Sequence, residues 1–178
     1  MPGSFKAEAI VIKRTNLGEA DRLVTVFSKD RGKLTLIAKG IRRLTSRKKG
    51  HLELFNQVRL QIAKGKNLDL ITEAETINNF SRLRGNLNRV RIAYLLLELV
   101  DKLTAENQEH QEVYVLLGET LSQLNGHSAS NNLIADFEAQ LLTRLGFGLP
   151  PRPDRASLEA HILTITEKPL VPLPGYFK

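Results

Sequence analysis

A run of basic residues from Lys39 to Gly50, KGIRRLTSRKKG, is the part of this chain whose residue types most clearly specify a chemistry. Its six cations, with no acid among them, are Lys39, Arg42, Arg43, Arg47, Lys48 and Lys49. Such a run repels itself, so it is either a solvated surface loop or a surface that binds a polyanion such as nucleic acid. Composition alone leaves both interpretations open.

The uneven distribution of charge along the chain favours the interpretation that the basic run binds a polyanion. Residues 1–80 hold 16 Lys and Arg against 8 Asp and Glu, a net charge of +8. Residues 81–178 hold 10 against 11, a net charge of −1. A cationic surface that served only solubility would not need this asymmetry, so a polyanionic partner of the first half is the better explanation.

Several classes of chemistry have little support. There is no cysteine, and the four histidines lack the spacing of zinc ligands, so we expect no metal. There is no phosphate-binding GxxxxGK[ST] motif, and Gly146-Phe147-Gly148 follows a helical pattern, which predicts a helix stop rather than a dinucleotide loop. Four acids lack metal-ligand spacing: Glu19, Asp21, Glu73 and Glu75. We therefore expect no cofactor and no enzymatic activity.

Five short segments with alternating apolar and polar residues predict strands in the first half. They are Phe5–Thr15, Arg22–Ser28, Lys33–Lys39, Leu54–Ala63 and Leu68–Ile77. The basic run falls between the third and fourth, has glycines at its ends and lacks helical periodicity, so we predict a long loop. Five strands with tight turns and one long connection predict a small closed barrel of the OB type, and a six-stranded SH3-like barrel is the competing topology.

The second half has helical periodicity. We predict a long helix over Ser81–Glu106, a second over Gln111–Asn125, a third over Asn132–Leu145 and a short one from Asp154 to Ile165. Ser130 or Asn131 is a candidate cap of the third helix, Gly146 its stop, and the final PLVPLPGYFK an extended tail. The predicted fold class is α+β, with an OB-type barrel domain over 1–79 and an all-α helical domain over 80–178.

With these elements in place, the order of short motifs along the chain resembles the RecO family of bacterial recombination mediators over roughly residues 5–150. The shared landmarks are AIVIKR, Gly18-Glu19, Asp21-Arg22, Gly32-Lys33, AKGIRR, Glu73-Ala74-Glu75, AYLLLELVDKL and FEAQLLTRLGFGLP. AKGIRR is the most specific, because OB barrels in general share a shape but not this string. Some members carry a four-cysteine zinc element after the last landmark, which this cysteine-free chain lacks.

The resemblance implies a function in recombinational repair. It implies a DNA-binding protein that anneals complementary single strands and helps load recombinase onto DNA coated with single-stranded-DNA-binding protein. The implied partners are single- and double-stranded DNA, RecR, the C-terminal tail of the single-stranded-DNA-binding protein and, indirectly, RecA. No cofactor and no membrane are implied. Without a signal peptide or an apolar run of 18 residues, we expect a cytoplasmic, nucleoid-associated protein.

Within the barrel, the six cations of the basic run are the predicted DNA contacts. Lys33, Arg14, Arg22 and Arg59 are candidates that extend the track along the barrel. A second cluster lies at the start of the long predicted helix, as a candidate second DNA contact or an anchor for the tail of the single-strand-binding protein: Arg82, Arg84, Arg89 and Arg91. We expect Phe27 and Phe55 in the core, so binding should be led by phosphate contacts rather than by base stacking.

Two other functions remain open at this point. The same barrel and charge could serve an RNA- or ribosome-binding OB protein, which competition between DNA and RNA of matched length would distinguish. A metal-dependent nuclease is the weaker alternative, and incubation of labelled strands with magnesium or manganese would test it.

Overall fold

The structure, a computed structural model, describes residues 3–126 and 132–167. The chain divides into two compact units. The first contains the residues up to Asn79 together with a separate segment, Ala105–Tyr114. The second contains Phe80–Thr104 and the chain from Val115 onward.

The first unit is built on a closed five-stranded barrel. Its strands are β1 (Ser4–Leu17), β2 (Asp21–Ser28), β3 (Gly32–Ala38), β4 (Gln57–Ala63) and β5 (Leu70–Asn78). They are hydrogen-bonded in the order β1-β2-β3-β5-β4, and β4 closes the barrel against β1. All pairs are antiparallel except β3 with β5. This is the OB topology, so the predicted OB-type barrel is confirmed and the SH3-like alternative is not.

Alternation along the strands builds the barrel interior. In β4 the side chains of Val58, Leu60 and Ile62 are buried, whereas Arg59 between them is exposed. Phe27 and Phe55 are also buried, as expected from the sequence. Since neither ring is open to solvent, neither can act as a stacking platform for a base in this conformation.

An acidic segment, Ala105–Tyr114, comes after α2 (Leu87–Leu103) in the sequence but belongs to the barrel unit. It holds three glutamates and neither Lys nor Arg. Glu106 forms a parallel bridge with Lys33 of β3, and the Asn107 N–H donates to the Lys33 carbonyl over 2.9 Å. Thr35 Oγ1 donates to the Glu106 carboxylate. The segment therefore pairs with β3 as a short additional strand would.

The acidic segment is fixed again at its other end. The Tyr114 hydroxyl donates to Glu8 Oε1 on β1 over 2.9 Å and accepts from Gln57 Nε2 on β4 over 2.9 Å. Burial raises the pKa of this phenol well above its usual value, and the neighbouring Glu8 raises it further, against the effect of Gln57. The hydroxyl thus remains a protonated donor to Glu8.

The second unit is helical. Its helices are α1 (Ser81–Arg84), α2 (Leu87–Leu103), the larger part of α3 (Gln111–Asn125), α4 (Leu133–Leu145) and α5 (Arg155–Thr166). The prediction of one continuous helix over Ser81–Glu106 is wrong. The first helix ends at Arg84, with Gly85 as its C-cap. Asn86 caps a new helix, because its side chain accepts from the Arg89 N–H over 3.1 Å. None of the described helices is long and apolar enough to cross a membrane.

The helix ends confirm two of the sequence predictions. Asp154 caps α5, accepting from the Ser157 N–H over 2.9 Å. Gly146 stops α4 in the left-handed conformation, at a φ of 78°. The predicted cap at Ser130 or Asn131 and the predicted extended tail lie outside the described residues.

Helix α4 carries a carboxylate on its buried face. Glu138 has 0% exposed surface, and neither of its carboxylate oxygens has a hydrogen-bond partner among the described residues. Burial raises the pKa of Glu138 from 4.5 to about 7, with a further contribution from Glu159, while Arg155 opposes the shift. The helical unit therefore contains a group that is protonated at mildly acidic pH and is costly to ionise.

Replacing Glu138 with glutamine is expected to remove a pH dependence of stability. Between pH 4.5 and about 7 the native protein keeps a proton on Glu138 that the unfolded chain releases, so stability falls as the pH rises. Above that range the accumulated loss reaches about 3 kcal/mol in the wild type and is absent in Glu138→Gln. Urea unfolding of both proteins at about pH 5 and pH 8 measures this difference. Glu119→Gln, an exposed position on α3, is the control, and an unchanged pH dependence in Glu138→Gln would contradict the assignment.

Candidate nucleic-acid interface

The basic loop (Lys39–Gly50) lies between β3 and β4, beside the β1–β2 turn. It contains turns and bends but no helix, as predicted. Two apolar side chains hold it to the barrel, since Ile41 within the loop and Leu52 just after it are both 0% exposed and belong to the barrel core. The loop is thus a fixed surface feature with buried anchors.

Hydrogen bonds fix the start of the basic loop to the β1–β2 turn. Asp21 Oδ1 accepts from the Gly40 N–H over 2.7 Å. The Arg42 N–H donates to the Ala20 carbonyl over 3.0 Å, and Arg42 Nη1 donates to the Gly18 carbonyl over 2.8 Å. Arg42 is exposed but part of its guanidinium already serves the fold, which leaves its remaining donors for a ligand.

Lys48 is also partly committed to the fold. Its Nζ donates to the Ile71 carbonyl on β5 over 3.1 Å. Partial burial lowers the pKa of this ammonium, and the charge of Asp21 works in the opposite direction. Lys48 therefore anchors the loop to β5 and is less available to a phosphate than its neighbours.

Four cations of the basic loop are exposed and uncommitted. Within the part of the chain that the structure describes, no hydrogen bond or ion pair holds the side chains of Lys39, Arg43, Arg47 and Lys49. Unpaired exposed cations on an anchored loop are what a phosphate backbone requires, because each can displace counterions without first breaking an internal contact.

The candidate extensions of this track have partners within the barrel. Arg14 Nη1 lies 2.8 Å from Glu53 Oε2, and Arg59 Nη1 lies 3.2 Å from Glu75 Oε2. Arg22 Nε donates to Asn16 Oδ1 over 3.0 Å. The structure therefore does not place these three arginines with the uncommitted cations of the loop, and their predicted DNA contact remains a prediction.

Lys33 is the candidate that the structure places least favourably. It is only 9% exposed and pairs through its backbone with Glu106 and Asn107 of the acidic segment. OB barrels commonly hold oligonucleotides across their second and third strands, yet here part of β3 is occupied by the protein's own chain. A phosphate contact at Lys33 would require this buried side chain to become exposed.

The arginine cluster of the helical unit does not share one helix. Arg82 and Arg84 lie on α1 and are exposed, whereas Arg89 and Arg91 lie on α2 and are half-buried. The break at Gly85-Asn86 separates the two pairs along the chain. Their predicted DNA or tail contact remains a prediction.

Two of the four acids considered as a metal cluster serve other contacts. Asp21 caps the Gly40 N–H, and Glu75 pairs with Arg59. Among the described residues no group of three or more His, Asp or Glu side chains is arranged to hold a metal ion.

Comparison with known proteins identifies relatives of the barrel and of most of the helical unit. Residues 1–80 match the family "Recombination protein O N terminal" and residues 84–151 match "Recombination protein O C terminal". The chain belongs to the RecO family.

Three relatives called DNA repair protein RecO are similar to it. The one from Roseiflexus sp. (strain RS-1) is 40% identical over 143 residues, covering 80% of this chain and 50% of the relative. That from Nocardioides sp. (strain ATCC BAA-499 / JS614) is 38% identical, covering 80% and 60%. That from Dehalococcoides mccartyi (strain ATCC BAA-2100 / JCM 16839 / KCTC 5957 / BAV1) is 34% identical, covering 82% and 58%.

This RecO-family chain spans about half to 60% of the length of these relatives. The structure also gives a physical reason for two landmarks of the RecO resemblance. Asp21 of Asp21-Arg22 bonds to the Gly40 N–H of Ala38-Lys39-Gly40, so two motifs distant in sequence meet where the basic loop leaves β3. In this RecO-family barrel, those landmarks set the direction of the cationic loop.

Sequence reasoning did not find the acidic segment. Its contact with β3 joins Thr35 to Glu106 across 71 positions, and neither residue belongs to a local motif that predicts the pairing. The one available signal was composition, since the segment after α2 holds only acidic charges while the barrel is basic.

Proposed function

We propose that this chain binds DNA through the basic loop and promotes pairing of complementary single strands, as a non-enzymatic mediator in recombinational repair. The observation that carries the proposal is the set of four exposed, uncommitted cations on an anchored loop of an OB barrel. Membership of the RecO family supports it. The same binding would associate the protein with the nucleoid.

The chemistry of the loop suits annealing. Lysine and arginine bind phosphates and release condensed counterions, which supplies affinity without selecting a sequence. Because Phe27 and Phe55 are buried, the barrel does not sequester bases by stacking on them. Bases of a bound strand stay available for pairing, while the cations reduce repulsion between two phosphate backbones.

Family membership supports a set of partners for the proposed mediator. We propose RecR, the C-terminal tail of the single-stranded-DNA-binding protein and, indirectly, RecA. The tail is acidic, and the exposed Arg82 and Arg84 of α1 offer it a complementary charge. We propose that the helical unit binds the tail of the single-stranded-DNA-binding protein on the coated strand and that the basic loop then binds the DNA.

A strand-annealing assay tests the proposal. Complementary oligonucleotides coated with single-stranded-DNA-binding protein are mixed with the wild type or with a variant in which Lys39, Arg43, Arg47 and Lys49 are all glutamine. We expect the wild type to accelerate duplex formation at least about tenfold, and the variant to lose most of this acceleration, because binding is led by phosphate contacts.

Two controls sharpen the annealing assay. Arg144→Gln with Arg152→Gln removes exposed cations from the helical unit and should leave annealing unchanged. A matched RNA competitor measures whether the surface prefers DNA. Failure of the wild type to accelerate annealing would reject the mediator function, and equal activity of wild type and loop variant would place the DNA site elsewhere.

A further inference from the structure

The tip of the basic loop displays an apolar side chain. Leu44 is 96% exposed, more than any other large hydrophobic residue described as exposed. The Ser46 N–H donates to the Arg43 carbonyl over 3.1 Å, which closes a four-residue turn with Leu44 and Thr45 at its corners. The turn thus holds Leu44 out in solvent at a defined position.

The fold does not need Leu44. The anchoring of the basic loop is done by Ile41 and Leu52, which are both 0% exposed, and by the hydrogen bonds at Gly40 and Arg42. A single exposed leucine is common on protein surfaces and by itself indicates nothing. The cations around Leu44 are what indicate a function for it.

Leu44 stands among cations that we propose bind phosphates. Arg42 and Arg43 precede it and Arg47 follows, and no acid occurs between Arg31 and Leu52. A partner that satisfies both the cations and the apolar tip must present anionic groups beside apolar faces. DNA does so, because its bases lie within reach of its phosphates, and leucine is among the side chains that insert between base steps.

We propose that Leu44 inserts between neighbouring bases of the DNA strand whose phosphates are bound by the flanking cations. The inference rests on the proposed DNA binding and adds a contact with the bases to it. One inserted side chain unstacks one step and leaves the other bases of the strand free to pair. The contact is independent of sequence, since every base has an apolar face.

Fluorescence of 2-aminopurine placed within a single-stranded oligonucleotide tests the insertion, because its emission rises when the base is unstacked. Binding of the wild type should raise the emission at least about twofold for some probe positions. Leu44→Ala should abolish the rise and weaken binding about three- to tenfold, from the loss of buried apolar area. Its log-log salt slope should equal that of the wild type, because the phosphate contacts remain.

Leu163→Ala is the matched control, since Leu163 on α5 is an exposed leucine in the helical unit. It should leave affinity and emission unchanged, and thermal unfolding should show that both variants fold as the wild type does.

Binding of the wild type without a rise in emission, or an equal rise with Leu44→Ala, would overturn the insertion and leave the phosphate contacts standing. A Leu44→Ala defect confined to anionic vesicles would overturn it in favour of a lipid surface. No binding of DNA by the wild type would overturn the proposed function as well.

Discussion

Gly32→Ala is expected to destabilise the barrel by about 3 kcal/mol or more. Gly32 begins β3 with a φ of 66°, a conformation that strains any residue with a Cβ. An added Cβ would also lie 1.8 Å from the Gln108 carbonyl oxygen and 2.6 Å from its carbon. Both obstacles are backbone atoms of the acidic segment, so the segment would have to leave β3. Equilibrium urea unfolding measures the loss.

Gly18→Ala separates the two causes of this loss. Gly18 has a φ of 58°, close to that of Gly32, but an added Cβ would meet nothing within 4 Å. It should cost only the backbone strain, about 1–2 kcal/mol. Hydrogen exchange at Asn107, whose N–H is bonded to the Lys33 carbonyl, should accelerate in Gly32→Ala and not in Gly18→Ala. Equal losses in the two variants would mean that the acidic segment contributes little to the barrel.

Replacing Lys39, Arg43, Arg47 and Lys49 with glutamine is expected to weaken single-strand binding by nearly three decades at about 0.1 M salt. Each phosphate contact contributes about 0.7 to the log-log salt slope for single strands, so four contacts account for about 2.8. The slope should become shallower by the same amount. Fluorescence anisotropy with a labelled oligonucleotide, repeated over a range of salt concentrations, measures affinity and slope together.

A two-cation version allows a matched control. Arg43→Gln with Arg47→Gln should reduce the slope by about 1.4 and the affinity about 25-fold at 0.1 M salt. Arg144→Gln with Arg152→Gln removes the same charge from exposed positions of the helical unit and should change neither. Equal effects of the two pairs would show that net charge, and not the basic loop, sets the affinity.

The barrel could be predicted from the sequence because its signals are local. Alternation of side chains along Gln57–Ala63 identifies the inward face whatever the strand pairs with. The helices were predicted from periodicity, which is also local. The apolar pattern continues across Gly85-Asn86, so periodicity did not predict the break there. There the Asn86 side chain caps a new helix, a short-range preference that outweighs a continuous apolar stripe.

The sequence predicted that the candidate site is positively charged. It did not predict which of the cations have no partner within the fold. Lys39, Arg47 and Lys48 are alike in the sequence, yet Lys48 bonds to Ile71, 23 positions away, while the other two are uncommitted. Arg14 pairs with Glu53 across 39 positions. Such pairings depend on which strands become neighbours in the closed barrel, and local composition carries no information about that.

The sequence by itself determined a small barrel in the first half, a helical second half and the basic loop between the third and fourth strands, because periodicity and charge are properties of short segments. Only the tertiary structure decided the OB order of the strands, which cations remain uncommitted and that the acidic segment pairs with β3 at Lys33. It also decided that Leu44 is exposed while Ile41, three positions before it, is buried. The physical reason is that exposure and partner choice follow from closing the barrel, which brings together residues far apart in the chain.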